Sequence, residues 1–131
     1  MSIYDTRLRG RNFRLLNLLP GDETSPLRCD LFESSLDRPV AYEALSYVWG
    51  DISATEPIFC GGRTLSITAS LAEALRSLRS KHSRRVLWAD GICINQRDLE
   101  ERSHQVQLMG RVYANAGRVI AWLGPDHDDI G

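Results

Sequence analysis

The sequence predicts an α/β domain: a mostly parallel sheet flanked by helices, with antiparallel strands or hairpins added at the N-terminus and around Gly61-Gly62. Two observations carry this. From residue 42 onward the pattern runs strand, hairpin, helix, strand, helix, strand, and helices alternating with buried strands imply parallel crossovers. The other is Val86-Leu87-Trp88-Ala89, an unbroken apolar run that suits a central strand covered on both faces. Asp90-Gly91 ends that strand, because glycine tolerates a sharp exit, and Ile92 to Gln96 then mixes apolar residues with a thiol and two amides. A polar cluster just past the carboxyl end of a central strand, before a helix, is where open α/β sheets place ligands.

Taken in order, residues 1–12 are polar, and Phe13 to Leu19 forms the first strand. Pro20-Gly21-Asp22 is a turn signal, and the loop runs through Pro26. Leu27 to Ser34 alternates, with Leu27, Cys29 and Leu31 on one side and Arg28 and Asp30 on the other, so it is a second strand able to pair with the first as a hairpin. Leu45 to Trp49 has the aromatic and β-branched content of a strand, and Gly50-Asp51 ends it. Pro57 to Cys60 and Arg63 to Thr68 flank Gly61-Gly62 as a hairpin does.

Ser70-Leu71-Ala72-Glu73 has capping-box form and opens a helix on Leu71, Ala74, Leu75 and Leu78, ending near Arg79 or Lys81. Asp98 and Glu101 repeat the capping-box spacing. The helix they open carries an apolar stripe of Val106, Met109, Tyr113 and Ala116, and Gly117 closes it. Val119 to Leu123 is the last strand, ended by Gly124-Pro125. The acidic tail from Asp126 has no stop logic, so the chain reads as an N-terminal piece of a longer protein, a single domain over 1–131 with its core at 40–124.

Bulk composition narrows the function classes. A 131-residue chain with 43% hydrophobic residues is long enough to bury one core. Net charge is −1 with no basic run, which argues against nucleic acid as the partner. No apolar run approaches the roughly 18 residues of a membrane span, and the N-terminus lacks a signal-peptide core. Cys29, Cys60 and Cys93 are an odd, sparse set, neither a disulfide framework nor a zinc spacing, and point to a reducing, cytoplasmic location. His82, His104 and His127 show no metal spacing, so no metal is assigned.

Three blocks together resemble the fungal heterokaryon-incompatibility (HET) domain. They are Tyr42-Glu43-Ala44-Leu45-Ser46-Tyr47-Val48-Trp49-Gly50-Asp51, then Leu87-Trp88-Ala89-Asp90-Gly91-Ile92-Cys93-Ile94-Asn95-Gln96, then Glu101-Arg102-Ser103-His104-Gln105-Val106-Gln107-Leu108-Met109. Ile67-Thr68, Ser70-Leu71 and Ala121-Trp122-Leu123-Gly124 match between and after them in the expected order. Ala89 departs from the larger aliphatic residue the family favours, a matter of packing. The resemblance implies a role in fungal non-self recognition and cell death, in proteins that carry this domain near their N-terminus. It also implies a distant kinship with TIR domains, and so a TIR-like or flavodoxin-like fold. Some TIR domains cleave NAD with a glutamate, whereas others only assemble signalling complexes with themselves and with other death-signalling proteins.

Each candidate residue has a sharp reading and a plain one. On the resemblance, Glu101 is the catalytic carboxylate of an NAD glycohydrolase, stabilising an oxocarbenium-like transition state. On local pattern alone it is the capping partner of Asp98. Asp90 binds a ribose, or pairs with Arg102, which a turn of about 100° per residue points inward and which then needs an anion. Asn95 and Gln96 bind a base or ribose, or tie their loop to backbone groups. Ser46, Trp49, Gly50 and Asp51 line the end of a core strand, where Trp49 stacks on a planar ring or caps the core. Cys93, flanked by Ile92 and Ile94, reads as a buried small hydrophobe rather than a nucleophile. No cofactor is required; NAD enters only as a substrate of the enzymatic reading. That reading needs Glu101 to face a cleft shared with both loops, and the competing reading, a self-associating interaction module, does not.

Overall fold

A computed structural model describes residues 3–4 and 8–123. The Gly124-Pro125 break, the acidic tail and His127 lie outside them. The elements are β1 (Asn12–Leu18), β2 (Arg28–Ser35), β3 (Glu43–Tyr47), β4 (Thr55–Cys60), β5 (Arg63–Thr68), α1 (Ala69–Leu78), β6 (Arg85–Trp88), the one-turn helix α2 (Asp90–Cys93), α3 (Leu99–Asn115) and β7 (Arg118–Trp122). All seven strands form one sheet in the order β5-β4-β2-β1-β6-β3-β7.

The α/β class and both antiparallel hairpins stand as the sequence predicts. β1 pairs antiparallel with β2, and β4 with β5. The sheet is evenly mixed: β2–β4, β3–β6 and β3–β7 are parallel, whereas β1–β2, β1–β6 and β4–β5 are antiparallel. The N-terminal hairpin is also not peripheral. β1 lies between β2 and β6, with Phe13, Leu15, Leu16 and Leu18 fully buried.

The order β6-β3-β7 puts the first parallel strand between the other two. The β3→β6 and β6→β7 crossovers therefore run in opposite directions across the sheet, which for right-handed connections places their helices on opposite faces. Leu87 and Trp88 of β6 point to opposite faces, and both are fully buried. Trp88 meets Tyr113 of α3 edge to face at 5.3 Å. On the other face α1 packs on β3, β4 and β5, and α2 on β1 and β5. Glu43 ties the parallel strands together at their starts. Its Oε1 lies 2.7 Å from Arg85 Nε of β6, and its Oε2 3.6 Å from Arg118 Nε of β7.

The helix starts differ from the sequence reading in instructive ways. Thr68, not Ser70, caps α1: its hydroxyl accepts from Leu71 N at 3.2 Å, and the Ser70 hydroxyl donates instead to the Val48 carbonyl. Asp98 does cap α3, its Oδ1 accepting from Glu101 N at 3.2 Å. The reciprocal half of the box is absent, because the Glu101 side chain turns inward to Arg14. The buried face of α3 carries Glu101, Gln105 and Val112, with Leu108, Met109 and Tyr113 packed against the core. Val106 is exposed, so the stripe is rotated by one residue from the expected one. Arg102 thereby lands in solvent. Its expected pairing with Asp90 is not made.

Candidate functional site

Glu101 is a buried carboxylate held by four donors. It is 1% exposed. Arg14 of β1 grips it with both terminal nitrogens, Nη1 to Oε2 and Nη2 to Oε1, each at 2.7 Å. Leu8 N donates to Oε1 at 3.2 Å and Asn95 N to Oε2 at 2.8 Å. Burial opposes its charge, but the Arg14 bonds and the two backbone N–H groups outweigh burial and hold its pKa below the usual glutamate value. Arg14 also donates to the Cys93 carbonyl at 3.2 Å, and its guanidinium sits 4.7 Å from the centroid of the Tyr4 ring. The Tyr4 hydroxyl reaches the Ile92 carbonyl at 2.7 Å. The pair thus locks three segments together: β1, the start of α3 and the loop after α2. The Glu101 carboxylate is turned to this interior; the residue also borders a small open cavity of about 280 Å³ with Leu8, Gly10 and His104, separate from the cleft beside Asn95 and Gln96.

The second carboxylate, Asp90, stands just past the carboxyl end of β6, at the start of α2. The Tyr47 and Trp49 side chains and the Gly91 N–H act on it to favour its charge. Burial dominates, so its pKa is raised above the usual aspartate value, and burial also raises Tyr47. Trp49 lies parallel to Tyr47, ring centroids 6.2 Å apart. Ser46, one position before Tyr47 on β3, favours the charged form of the Tyr113 hydroxyl, although burial still raises its pKa. Gly91 is required here: a Cβ at this position would stand 2.4 Å from Tyr47 Oη and 3.1 Å from Leu71 Cδ2.

The fold therefore gathers Ser46, Trp49 and Asp90, and adds Tyr47 and Tyr113, which the sequence analysis did not single out. Their signal was there in part: Tyr47 lies in the first block, and Tyr113 lies in the helical stripe, four residues after Met109. Asp51 turns away, its Oδ1 accepting from Ser53 N at 2.9 Å and from the Ser53 hydroxyl at 2.6 Å. Gly50 supplies a positive φ of 64° to the same turn.

Asn95 and Gln96 border an open cleft of about 620 Å³ between the α2–α3 loop and β5. Arg63, Arg97, Thr64 and Ser66 line it as well. The amides hold the loop. Gln96 Nε2 donates to the Asp90 carbonyl at 2.8 Å, and Asn95 Oδ1 accepts from Arg97 N at 3.2 Å. Cys93 is fully buried, and burial pushes its thiol up to about 12, as befits a packing residue. Among the described residues no group of three or more His, Cys, Asp or Glu side chains could hold a metal, and no helix is long and apolar enough to cross a membrane.

The parallel trio β6, β3 and β7, with Glu101 and Asp90 beside it, carries the three sequence blocks, and comparison with known proteins assigns them. The chain belongs to the heterokaryon incompatibility protein (HET) family, whose family model matches residues 42–131. It is 44% identical over 132 residues to a Neurospora crassa protein, heterokaryon incompatibility protein 6, OR allele. That match covers 90% of this chain and 19% of the relative, so the chain spans about a fifth of the relative's length. No solved structure matches.

Proposed function

We propose that this chain is the HET domain of a fungal non-self recognition protein, and that it triggers programmed cell death in the cytoplasm as a self-associating module that recruits other death-signalling proteins. The observation that carries the reading is an exposed apolar surface at the carboxyl ends of β3 and β7. Val48 is 58% exposed, Ile52 69% and Leu123 55%, with Trp49 beside them. Tyr47 and Trp122 are register partners, so Val48 and Leu123 follow side by side. Among the described residues β7 has one strand neighbour, β3, and its other edge is open to a second chain. Clustered apolar side chains next to an open strand edge are what association needs. The family membership and the name of the Neurospora crassa relative support the incompatibility role. Light scattering over a concentration series tests the association: the wild type grows in mass, and Ile52→Asp with Leu123→Lys does not. A wild type that stays monomeric at every concentration, including when clustered on a scaffold, overturns the reading.

A second reading, a nucleotide-consuming enzyme acting on NAD, draws support from the cleft beside Asn95 and Gln96, whose two arginines suit anionic groups. Glu101 can touch a ribose only after releasing Arg14, Leu8 N and Asn95 N. NAD turnover by clustered protein, wild type beside a folded Glu101→Gln, decides it. Turnover lost only in the variant supports the enzyme, and no turnover in either removes it.

A further inference from the structure

The three cysteines are far apart in sequence, but the fold makes two of them neighbours. Cys29 of β2 and Cys60 of β4 are direct register partners in a parallel ladder. Paired residues project from the same face, and adjacent strands run about 4.8 Å apart, inside the roughly 4.4–6.8 Å that a disulfide spans between Cα atoms. Both side chains are buried in the same core, at 1% and 4% exposure, and both are free thiols. Each thiol acts on the other, Cys60 raising the Cys29 pKa and Cys29 lowering that of Cys60.

We propose that Cys29 and Cys60 are a peroxide-oxidisable dithiol, a modification site that closes into an intramolecular disulfide in the folded domain. The chemistry balances with one equivalent of hydrogen peroxide. The Cys60 thiolate attacks one peroxide oxygen, the O–O bond breaks, and a sulfenic acid and hydroxide result. The Cys29 sulfur then attacks the Cys60 sulfur, the S–O bond breaks, and its oxygen leaves as water with the Cys29 proton. Both thiols are oxidised, and the peroxide is reduced to two waters.

The surroundings favour Cys60 as the first to react. It is the last residue of β4, directly before Gly61-Gly62, whose φ values of 57° and 84° make a tight turn with open space around it. Cys93 is the unreactive third thiol, fully buried with its sulfur accepting from Ala89 N at 3.5 Å. The bridge would join the β4–β5 hairpin to β2 across a ladder of two register pairs.

The test treats the folded chain with hydrogen peroxide, quenches, denatures, and counts thiols with a maleimide. The expected count falls from three to one, the mass drops by two hydrogens, peptide mapping joins residue 29 to residue 60, and dithiothreitol restores all three thiols. Cys93→Ser still loses two thiols, and Cys60→Ser loses none to an intramolecular bridge. Three thiols retained, a bridge to Cys93, a bridge between chains, or oxygen adducts in place of a bridge each overturn the proposal. The wild-type map decides the matter alone if a serine variant fails to fold.

Discussion

Glu101→Gln is nearly isosteric, and four donors make it severe. Each carboxylate oxygen accepts from one Arg14 nitrogen and one backbone N–H: Oε1 from Nη2 and Leu8, Oε2 from Nη1 and Asn95. An amide has one acceptor. In either orientation its NH₂ faces a guanidinium nitrogen and a backbone N–H, donor against donor, while Arg14, 4% exposed, loses its counter-charge. Breaking a buried pair by removing one partner costs about 3–5 kcal/mol. Against a typical domain stability of about 5–15 kcal/mol, that is a large fraction of the whole. Urea unfolding at pH 7 measures it, and a loss under about 1 kcal/mol would refute the argument. The pH dependence has a fixed sign. The folded pKa of Glu101 is depressed below the unfolded value of about 4.3, so the pair's contribution is complete above that value and is lost as pH falls through the folded pKa. Glu101→Gln should therefore flatten the acid limb of the stability curve. Arg14→Met combined with Glu101→Leu recovers only part of the loss, since Leu8 N, Asn95 N and the Cys93 carbonyl remain without partners.

Other predictions rest on separate contacts. Gly91→Ala forces Tyr47 off Asp90 and should cost about 1–3 kcal/mol in thermal unfolding, with a change in Trp49 fluorescence. Thr68→Ala should cost about 1 kcal/mol by loss of the α1 cap, whereas Glu73→Ala, at an exposed position, should stay within about 0.5 kcal/mol; the reverse ranking would restore the Ser70 box. Asp90 should behave oppositely to Glu101. Its folded pKa is raised, so its ionisation costs stability as pH rises through that value, and Asp90→Asn should gain on the wild type between pH 4 and pH 7 in urea midpoints.

Much of the fold was legible because local signals agreed with it. Gly61-Gly62 marks the β4–β5 turn, the apolar run at Val86 marks a strand buried on both faces, and Asp98 marks the start of α3. What failed turned on tertiary partners. The phase of the apolar stripe points Arg102 inward, but the inward residue is Glu101, a carboxylate that no hydropathy pattern places in a core. Its partner, Arg14, sits on β1, which the sequence marks only as one more strand. Likewise Thr68 displaces Ser70 as cap because β5 runs straight into α1 and leaves Ser70 free to bind the Val48 carbonyl. The α2 turn was hidden because Asp90-Gly91 reads as a strand exit as readily as a helix start.

The same comparison bears on how the Asp90–Gln96 block is understood. Its polar residues stand where α/β sheets bind ligands, and position alone marks them as a site. Yet Gln96 spends its amide on the Asp90 carbonyl, the Asn95 N–H serves Glu101, and Arg14 takes the Cys93 carbonyl. The loop leaves α2, crosses beside two carboxylates and enters α3, and each turn of its backbone needs a partner that these side chains supply. The identity of the block thus follows largely from folding. The groups that folding does not consume lie elsewhere: Val48, Ile52 and Leu123 at the strand ends, and Arg97 at the cleft rim. Substitutions in the block should act first on stability. Substitutions at those surface residues should leave stability within about 0.5 kcal/mol and change association or ligand binding alone. Urea unfolding and light scattering on the same variants separate the two groups. A surface variant that unfolds the domain, or a block variant that abolishes assembly at full stability, would reverse the assignment.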